Sequence, residues 1–135
     1  MDSKATTRAA VRALTALAQE TRLAVFRLLV ERGPAGLTAG RIAEKLDLPG
    51  ATLSFHLKEL SGAGLVTPRQ EGRFIHYSAD FRTMNGLVAY LTENCCRDSR
   101  GCEAACGPES IPRSALRRAP PGARARANAT KRKSA

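Results

Sequence analysis

Four cysteines carry the most distinctive chemistry in this chain of 135 residues. Cys95, Cys96, Cys102 and Cys106 fall within twelve positions. Their neighbours Arg97, Asp98, Ser99 and Arg100 are surface types, whereas a structural free cysteine is usually buried in a core. Clustered reduced thiols more often bind metal or sense redox than staple a fold. The spacing C-C-x5-C-x3-C differs from the short C-x2-C pairs of structural zinc sites. On a helix, adjacent Cys95 and Cys96 would diverge by about 100°, which disfavours a tidy tetrahedron. A three-thiolate pyramid is less demanding. Soft trivalent arsenic or antimony prefers sulfur and leaves three bonding directions. Cys95, Cys96 and Cys102 suit that pyramid, with Gly101 easing the return of Cys102. Arg97 and Arg100 would favour the thiolates, and Cys106 is a further, fourth candidate ligand. Such an ion would act as an effector, so no resident cofactor is required. Two other chemistries stay open: zinc or another soft ion, and a redox switch pairing Cys95 with Cys96 or Cys102 with Cys106.

A second group of residues could read DNA. Residues 50–63 suit a helix with Leu53, Leu57 and Leu60 facing inward. At 100° per residue, Ala51, Ser54, Phe55 and Lys58 then point away, and a major groove admits such a face. Ser54 suits a base edge or a phosphate, and Lys58 a phosphate. Thr52 could meet a phosphate from the helix start. Phe55 would touch a thymine methyl or pack against a neighbouring helix. His56, beside the apolar stripe, suits packing better than base reading. Arg69 and Arg73 flank a hairpin tip, where they would meet phosphates, enter the minor groove or stay solvated.

Positioning these groups takes a small set of elements. Residues 8–18 predict a first helix with Val11, Leu14, Leu17 and Ala18 along one stripe. Thr21 to Glu31 predicts a second, stopped by Gly33-Pro34. Thr38 opens a short helix burying Ile42, Ala43 and Leu46, and a turn at Asp47 to Gly50 leads into the reading helix. Two short helices across a tight turn are what a helix-turn-helix requires. LVTPRQEGRFIHYS then reads as two strands around Gln70-Glu71-Gly72, a wing. A last helix is expected from about Phe81 to Cys95. The expected fold is therefore mainly α with a small β-wing, a winged helix-turn-helix. The expected organisation is an N-terminal arm (1–7), a DNA-binding and dimerisation domain (8–96), a cysteine-bearing ligand segment (97–106) and a basic disordered tail (107–135).

Composition agrees with a polyanionic partner. The chain holds 22 Lys+Arg against 12 Asp+Glu, for a formal charge of +10, which favours nucleic acid or an anionic surface. Residues 107–135 hold eight basic residues and one acidic residue. Punctuated by Pro108, Pro112, Pro120 and Pro121, that tail offers little apolar surface to offset its ordering entropy. No apolar run approaches the ~18 residues of a membrane helix, and MDSKATTRAA lacks a signal peptide's apolar stretch. A cytoplasmic location and no membrane partner are expected. An enzyme is disfavoured: there is no C-x-x-C, no Gly-rich phosphate loop and no His near the cysteines.

The runs ALTALAQETRLAVFRLLVERG and GATLSFHLKELSGAGLVTPRQEGRFIHYSAD resemble the ArsR/SmtB family of winged-helix, metal-sensing repressors, over about residues 8–95. That resemblance implies a homodimer that binds double-stranded operator DNA and releases it on binding a metal ion or metalloid. The apolar stripes of the first and last helices, through Leu14, Leu17, Leu87, Val88 and Leu91, would form the dimer interface. The family's best-known arsenic sensors carry cysteines in a C-V-C-D-L type motif, where this chain has Thr38 and Gly40. Its zinc sensors use Asp and His along the last helix, where this chain has no His between Phe81 and Asn94. The resemblance therefore implies a sensing site placed elsewhere on the scaffold, and the clustered cysteines supply one.

Overall fold

The computed structural model describes residues 3–95 and 97. Cys96, Cys102, Cys106 and the basic tail lie outside the described residues. The unit that carries the fold ends at Glu93, and Asn94, Cys95 and Arg97 belong to a second unit.

The first helix, α1 (Ser3–Leu17), starts ahead of the expected residue 8, so residues 3–7 are helical rather than an arm. Lys4, Ala5, Arg8 and Ala9 are good helix formers, and no Gly or Pro interrupts them. The expected facing of α1 is also corrected. Ala10, Ala13 and Ala16 are buried, while Val11 and Leu14 are exposed. Small side chains let α1 approach α2, α4 and α5 closely, and that closeness outweighs burying the larger residues. Leu17 alone of the expected stripe's leucines packs against the core.

Helix α2 (Glu20–Arg32) is capped by Gln19, whose side-chain oxygen accepts from Arg22 N at 2.8 Å. It buries Val25, Phe26 and Leu29 and ends at Gly33, with φ +86°. A two-residue strand, β1 (Leu37–Thr38), follows. It is too short to leave a periodic trace in the sequence. Thr38 then caps α3 (Ala39–Leu46), accepting from Arg41 N at 3.3 Å, and Asp47 closes it in the left-handed region at φ 51°. Helix α4 (Gly50–Gly62) completes the helix-turn-helix.

Strands β2 (Val66–Glu71) and β3 (Phe74–Ala79) are antiparallel, and the sheet order is β1-β3-β2. Their register pairs Glu71 with Phe74. The turn is therefore Gly72-Arg73, not Gln70-Glu71-Gly72, and Gly72 takes φ +61° as a tight turn demands. Gly36 has a stricter reason to be glycine: at φ +71°, a Cβ there would lie 2.5 Å from the Tyr77 carbonyl oxygen. Its bareness lets β1 reach β3.

Asp80 caps α5 (Phe81–Thr92), accepting from Thr83 N at 2.9 Å. The helix stops at Thr92, short of the expected Cys95. The Thr92 hydroxyl donates back to Val88 O at 2.8 Å, Glu93 turns extended, and Asn94 takes φ 58°. Cys95 thus lies beyond the helix, and the expected 100° helical offset from Cys96 does not hold at Cys95. Val25, Leu29, Ile42, Leu53, Leu60 and Leu65 are the fully buried centre. They tie α2, α3, α4 and the sheet into one core, each worth about 1.5–3 kcal/mol of burial.

Candidate nucleic-acid interface

Helix α4 is sorted as its periodicity predicts. Leu53, Leu57 and Leu60 are buried, and Ala51, Thr52, Ser54, Phe55 and Lys58 are exposed. The buried leucines fix the rotation of the helix, so its polar face can turn only outward. His56 is 8% exposed, on the core side, and its Nδ1 has no hydrogen-bond partner. Its ring meets Phe55 edge-on, with centroids 5.8 Å apart at 62°. Phe55 itself is 56% exposed. Its ring is thus offered to solvent instead of being packed under a neighbouring helix.

Lys58 lines an open groove of about 490 Å³ together with Arg12, Arg22 and Glu59. Arg12 reaches across from α1 and donates from Nη2 to Gly62 O at 2.8 Å, at the end of α4. Arg22 Nε donates to Ala16 O at 2.7 Å, closing α1. Both guanidiniums satisfy helix-end carbonyls and keep the groove basic beside the reading face. Arg32, Arg41, Lys45 and His76, with Glu31 among them, line a second groove of about 370 Å³ at the start of α3. Sequence reasoning did not single these out, because their convergence depends on how β1 brings α2, α3 and β3 together.

The two wing arginines differ. Arg73 is exposed at the turn. Arg69 is held: its Nη2 lies 2.9 Å from Glu71 Oε1 and donates to Ala35 O at 3.4 Å. The other Glu71 oxygen lies 3.5 Å from His76 Nε2. A residue two places along a strand stands on the same face, so the Arg69–Glu71 pairing was readable from the spacing. Phe74 and Ile75, also unforeseen, are exposed at the tip.

The expected dimer face is split. Leu14, Val88 and Leu91 are exposed, and Val11 joins them. Leu17 and Leu87 instead pack against this chain's own core. The Thr7 Oγ1 and Tyr90 hydroxyls are 2.9 Å apart, tying α1 to α5.

In the second unit, Cys95 is exposed and Arg97 N donates to Asn94 O at 3.1 Å. Among the described residues, no three His, Cys, Asp or Glu side chains converge to hold a metal ion. Among the same residues, no helix is long and apolar enough to cross a membrane.

Known proteins resemble this arrangement. A helix-turn-helix domain family matches residues 17–69. The arsenical resistance operon repressor of Bacillus subtilis is 32% identical over 81 residues, covering 60% of this chain and 73% of that protein. The chain spans less of two other curated relatives, 57% and 58% of their length. Among solved structures, an ArsR-like transcriptional regulator from Rhodococcus sp. RHA1 superposes with a TM-score of 0.60 at 28% identity, covering 70% of this chain and 85% of that one. The homodimeric winged helix-turn-helix DNA-binding domain Mb0332 of Mycobacterium bovis superposes with a TM-score of 0.54 at 26% identity, covering 75% and 94%.

Proposed function

This chain belongs to the ArsR family of winged-helix regulators, and from that premise we propose that it is a transcriptional repressor that binds operator DNA as a homodimer. In this reading it leaves DNA when As(III) or Sb(III) binds the thiolates of Cys95, Cys96 and Cys102. The observation that carries the DNA-binding part is the partition of α4. Three buried leucines lock the helix, and a face of Thr52, Ser54, Phe55 and Lys58, with Glu59 among them, is left outside.

Each part of that face has a distinct task. Lys58 and Thr52 meet phosphates, which hold the register of the helix without reading sequence. Ser54 and Phe55 face base edges, the ring against a thymine methyl. Arg73 extends the phosphate contacts from the wing. Arg69 joins them only when it exchanges Glu71 for a phosphate.

One helix-turn-helix reads few base pairs, so specific affinity needs two half-sites about 34 Å apart. The exposed apolar residues Val11 and Leu14 of α1 and Val88 and Leu91 of α5 are suited to join two copies. The homodimeric state of the Mycobacterium bovis domain supports this assignment. Leu17 and Leu87 support these residues from beneath.

Induction is assigned to the cysteine segment by its chemistry. Three or four soft thiolates match a thiophilic ion, and the Bacillus subtilis relative is named for arsenical resistance. Any three-ligand site must draw on residues beyond those described, because none converge among the latter. None of the cysteines lies within α4 or the wing in the sequence, and in this reading release is allosteric. The segment follows α5 directly, and a change there acts on the dimer residues that α5 carries. Such coupling typically amounts to about 1–3 kcal/mol, or a 5- to 150-fold loss of DNA affinity.

Titrating the reduced protein with arsenite while following operator release tests the reading. Release by oxidant but not by arsenite would instead favour the thiol redox switch. Release by zinc alone would favour a zinc sensor.

A further inference from the structure

The chain has only four phenylalanines. Phe26 is buried and Phe81 packs against the core, but Phe55 and Phe74 face solvent. Phe55 already has a place on the reading face. Phe74 does not, and at 64% it is the most exposed of the large apolar residues among those described. Ile75 beside it is 46% exposed. The position of Phe74 is fixed by the strand ladder, where it is the partner of Glu71, with Arg69 opposite His76 as the next pair but one. The turn at Gly72-Arg73 is tight, so the hairpin ends in a narrow edge carrying an aromatic ring, a branched aliphatic side chain and the Arg73 cation.

The surroundings decide what such an edge fits. Glu71, Arg69, Gln70 and Arg73 bound the two apolar residues. These two side chains, which line a shallow groove with Thr38, Ala39, Gly40 and Tyr77, are by themselves far smaller than the roughly 800 Å² per partner of a standard protein interface. The one carboxylate at the tip is occupied by Arg69 and His76, which leaves Arg73 as the charge facing outward. An apolar point beside a cation matches a surface that is anionic outside and apolar within, which describes the stacked bases between two phosphate strands. The minor groove, about 6 Å wide, is too narrow for a helix but admits side chains from a hairpin tip.

We infer that Phe74 is a wedge that enters the minor groove beside the α4 site and partly opens a base step, bending the duplex. The inference rests on the DNA-binding reading above. It adds a specificity element that needs no hydrogen bond to a base. Wedging is cheapest at flexible pyrimidine–purine steps, so the protein favours TA or CA/TG at the wing's position through the energy of deformation. Arg73 anchors the tip to the flanking phosphate.

The test uses the full-length reduced chain, a duplex it selects from a random library, and end-labelled fluorescence transfer to measure the bend. Wild type should bend the duplex by an angle in the roughly 20–90° range of apolar wedges. Phe74→Ala should lose most of the bend, bind roughly tenfold more weakly and lose its preference at the wing's step, while Phe74→Leu keeps most of all three. Arg73→Ala should weaken binding and lower the salt slope but keep the step preference. An unchanged melting temperature for Phe74→Ala would confirm that the core is untouched. Selection of a duplex that stays straight, or an unchanged bend and step preference in Phe74→Ala, would overturn the wedge while leaving DNA binding standing. A change in the oligomeric state of free Phe74→Ala would also overturn it and assign the tip to contact between copies. Failure of wild type to select any duplex would overturn the DNA-binding reading and the wedge together.

Discussion

Arg69 Nη2 sits 2.9 Å from Glu71 Oε1, so the wing supplies Arg69 with its own counter-ion. Both side chains are about half exposed, and exposed pairs are weak enough to exchange partners. Glu71→Gln should therefore release Arg69 for DNA. Affinity at low salt should rise roughly two- to fivefold, the equivalent of losing one surface ion pair's competition. The salt slope should steepen by about one. Fluorescence anisotropy across a salt series measures both. Unchanged or weaker binding by Glu71→Gln would remove Arg69 from the interface.

The other contacts separate by what they read. Lys58→Ala and Arg73→Ala should weaken binding to every duplex alike, each flattening the salt slope by about one. Ser54→Ala and Phe55→Ala should leave that slope intact. They should narrow the gap between the preferred operator and single-base variants, by about 1–3 kcal/mol per lost contact. Competition binding against a panel of operator variants decides the matter. Equal discrimination by wild type and Phe55→Ala would mean that the ring reads nothing.

Two kinds of leucine on α5 should behave differently. Leu91 and Val88 are exposed and available to a second copy. Leu91→Asp or Val88→Asp should give a folded monomer with weak operator binding. Leu87 packs against the chain's own core, so Leu87→Ala should instead lower stability, by about 1–3 kcal/mol given its partial burial. Sedimentation and thermal melting together separate these outcomes. A Leu91→Asp protein that stays dimeric at micromolar concentration would contradict the interface.

Gly36→Ala probes the strand that sequence reading missed. The new methyl would lie 2.5 Å from the Tyr77 carbonyl oxygen, on a backbone at φ +71°. Either β1 leaves β3 or the residue strains, and each route should cost more than about 1 kcal/mol. Denaturant melting gives the loss. A neutral substitution would mean that the β1–β3 pairing adds nothing to stability.

The contrast between α1 and α4 shows where sequence was enough. In α4 the leucines at 53, 57 and 60 recur at one helical period among mostly polar residues, so their face is the buried one, and the exposed face followed, with Phe55 the one large apolar residue on it. In α1, alanines at 10, 13 and 16 compete with Val11 and Leu14, and both stripes are apolar. Periodicity cannot choose between them; helix-to-helix distance does, and it favours the small side chains. The winged helix-turn-helix order was likewise legible from turn residues and the change of period. Strand β1 was not, because its two residues show no pattern without Tyr77 and His76 across from them. The pairing of Arg69 with Glu71 was readable from their spacing, whereas the exposure of Phe74 depends on what packs against its face of the sheet. Spacing proposed the cysteine cluster through thiol chemistry alone, and three of its four members lie outside the described residues.

Substitution of the cysteines one at a time tests the sensing site. Cys95→Ser, Cys96→Ser and Cys102→Ser should each abolish or blunt arsenite release while leaving operator affinity unchanged. None of the three belongs to the reading face, and a three-coordinate pyramid has no spare ligand. Cys106→Ser should respond almost as wild type does. The measurement is operator release against arsenite under reducing conditions, with antimonite as the second ion. Normal release from Cys102→Ser with failure of Cys106→Ser would transfer the third ligand to Cys106. Normal release from all four would place the sensor elsewhere on the scaffold. Because α5 ends at Thr92, the covalent link from the cysteine segment back to α5 runs through Glu93 and Asn94. Inserting two glycines after Asn94 should therefore preserve arsenite binding and uncouple it from release. Retained coupling in that insertion variant would show that the signal does not travel through α5.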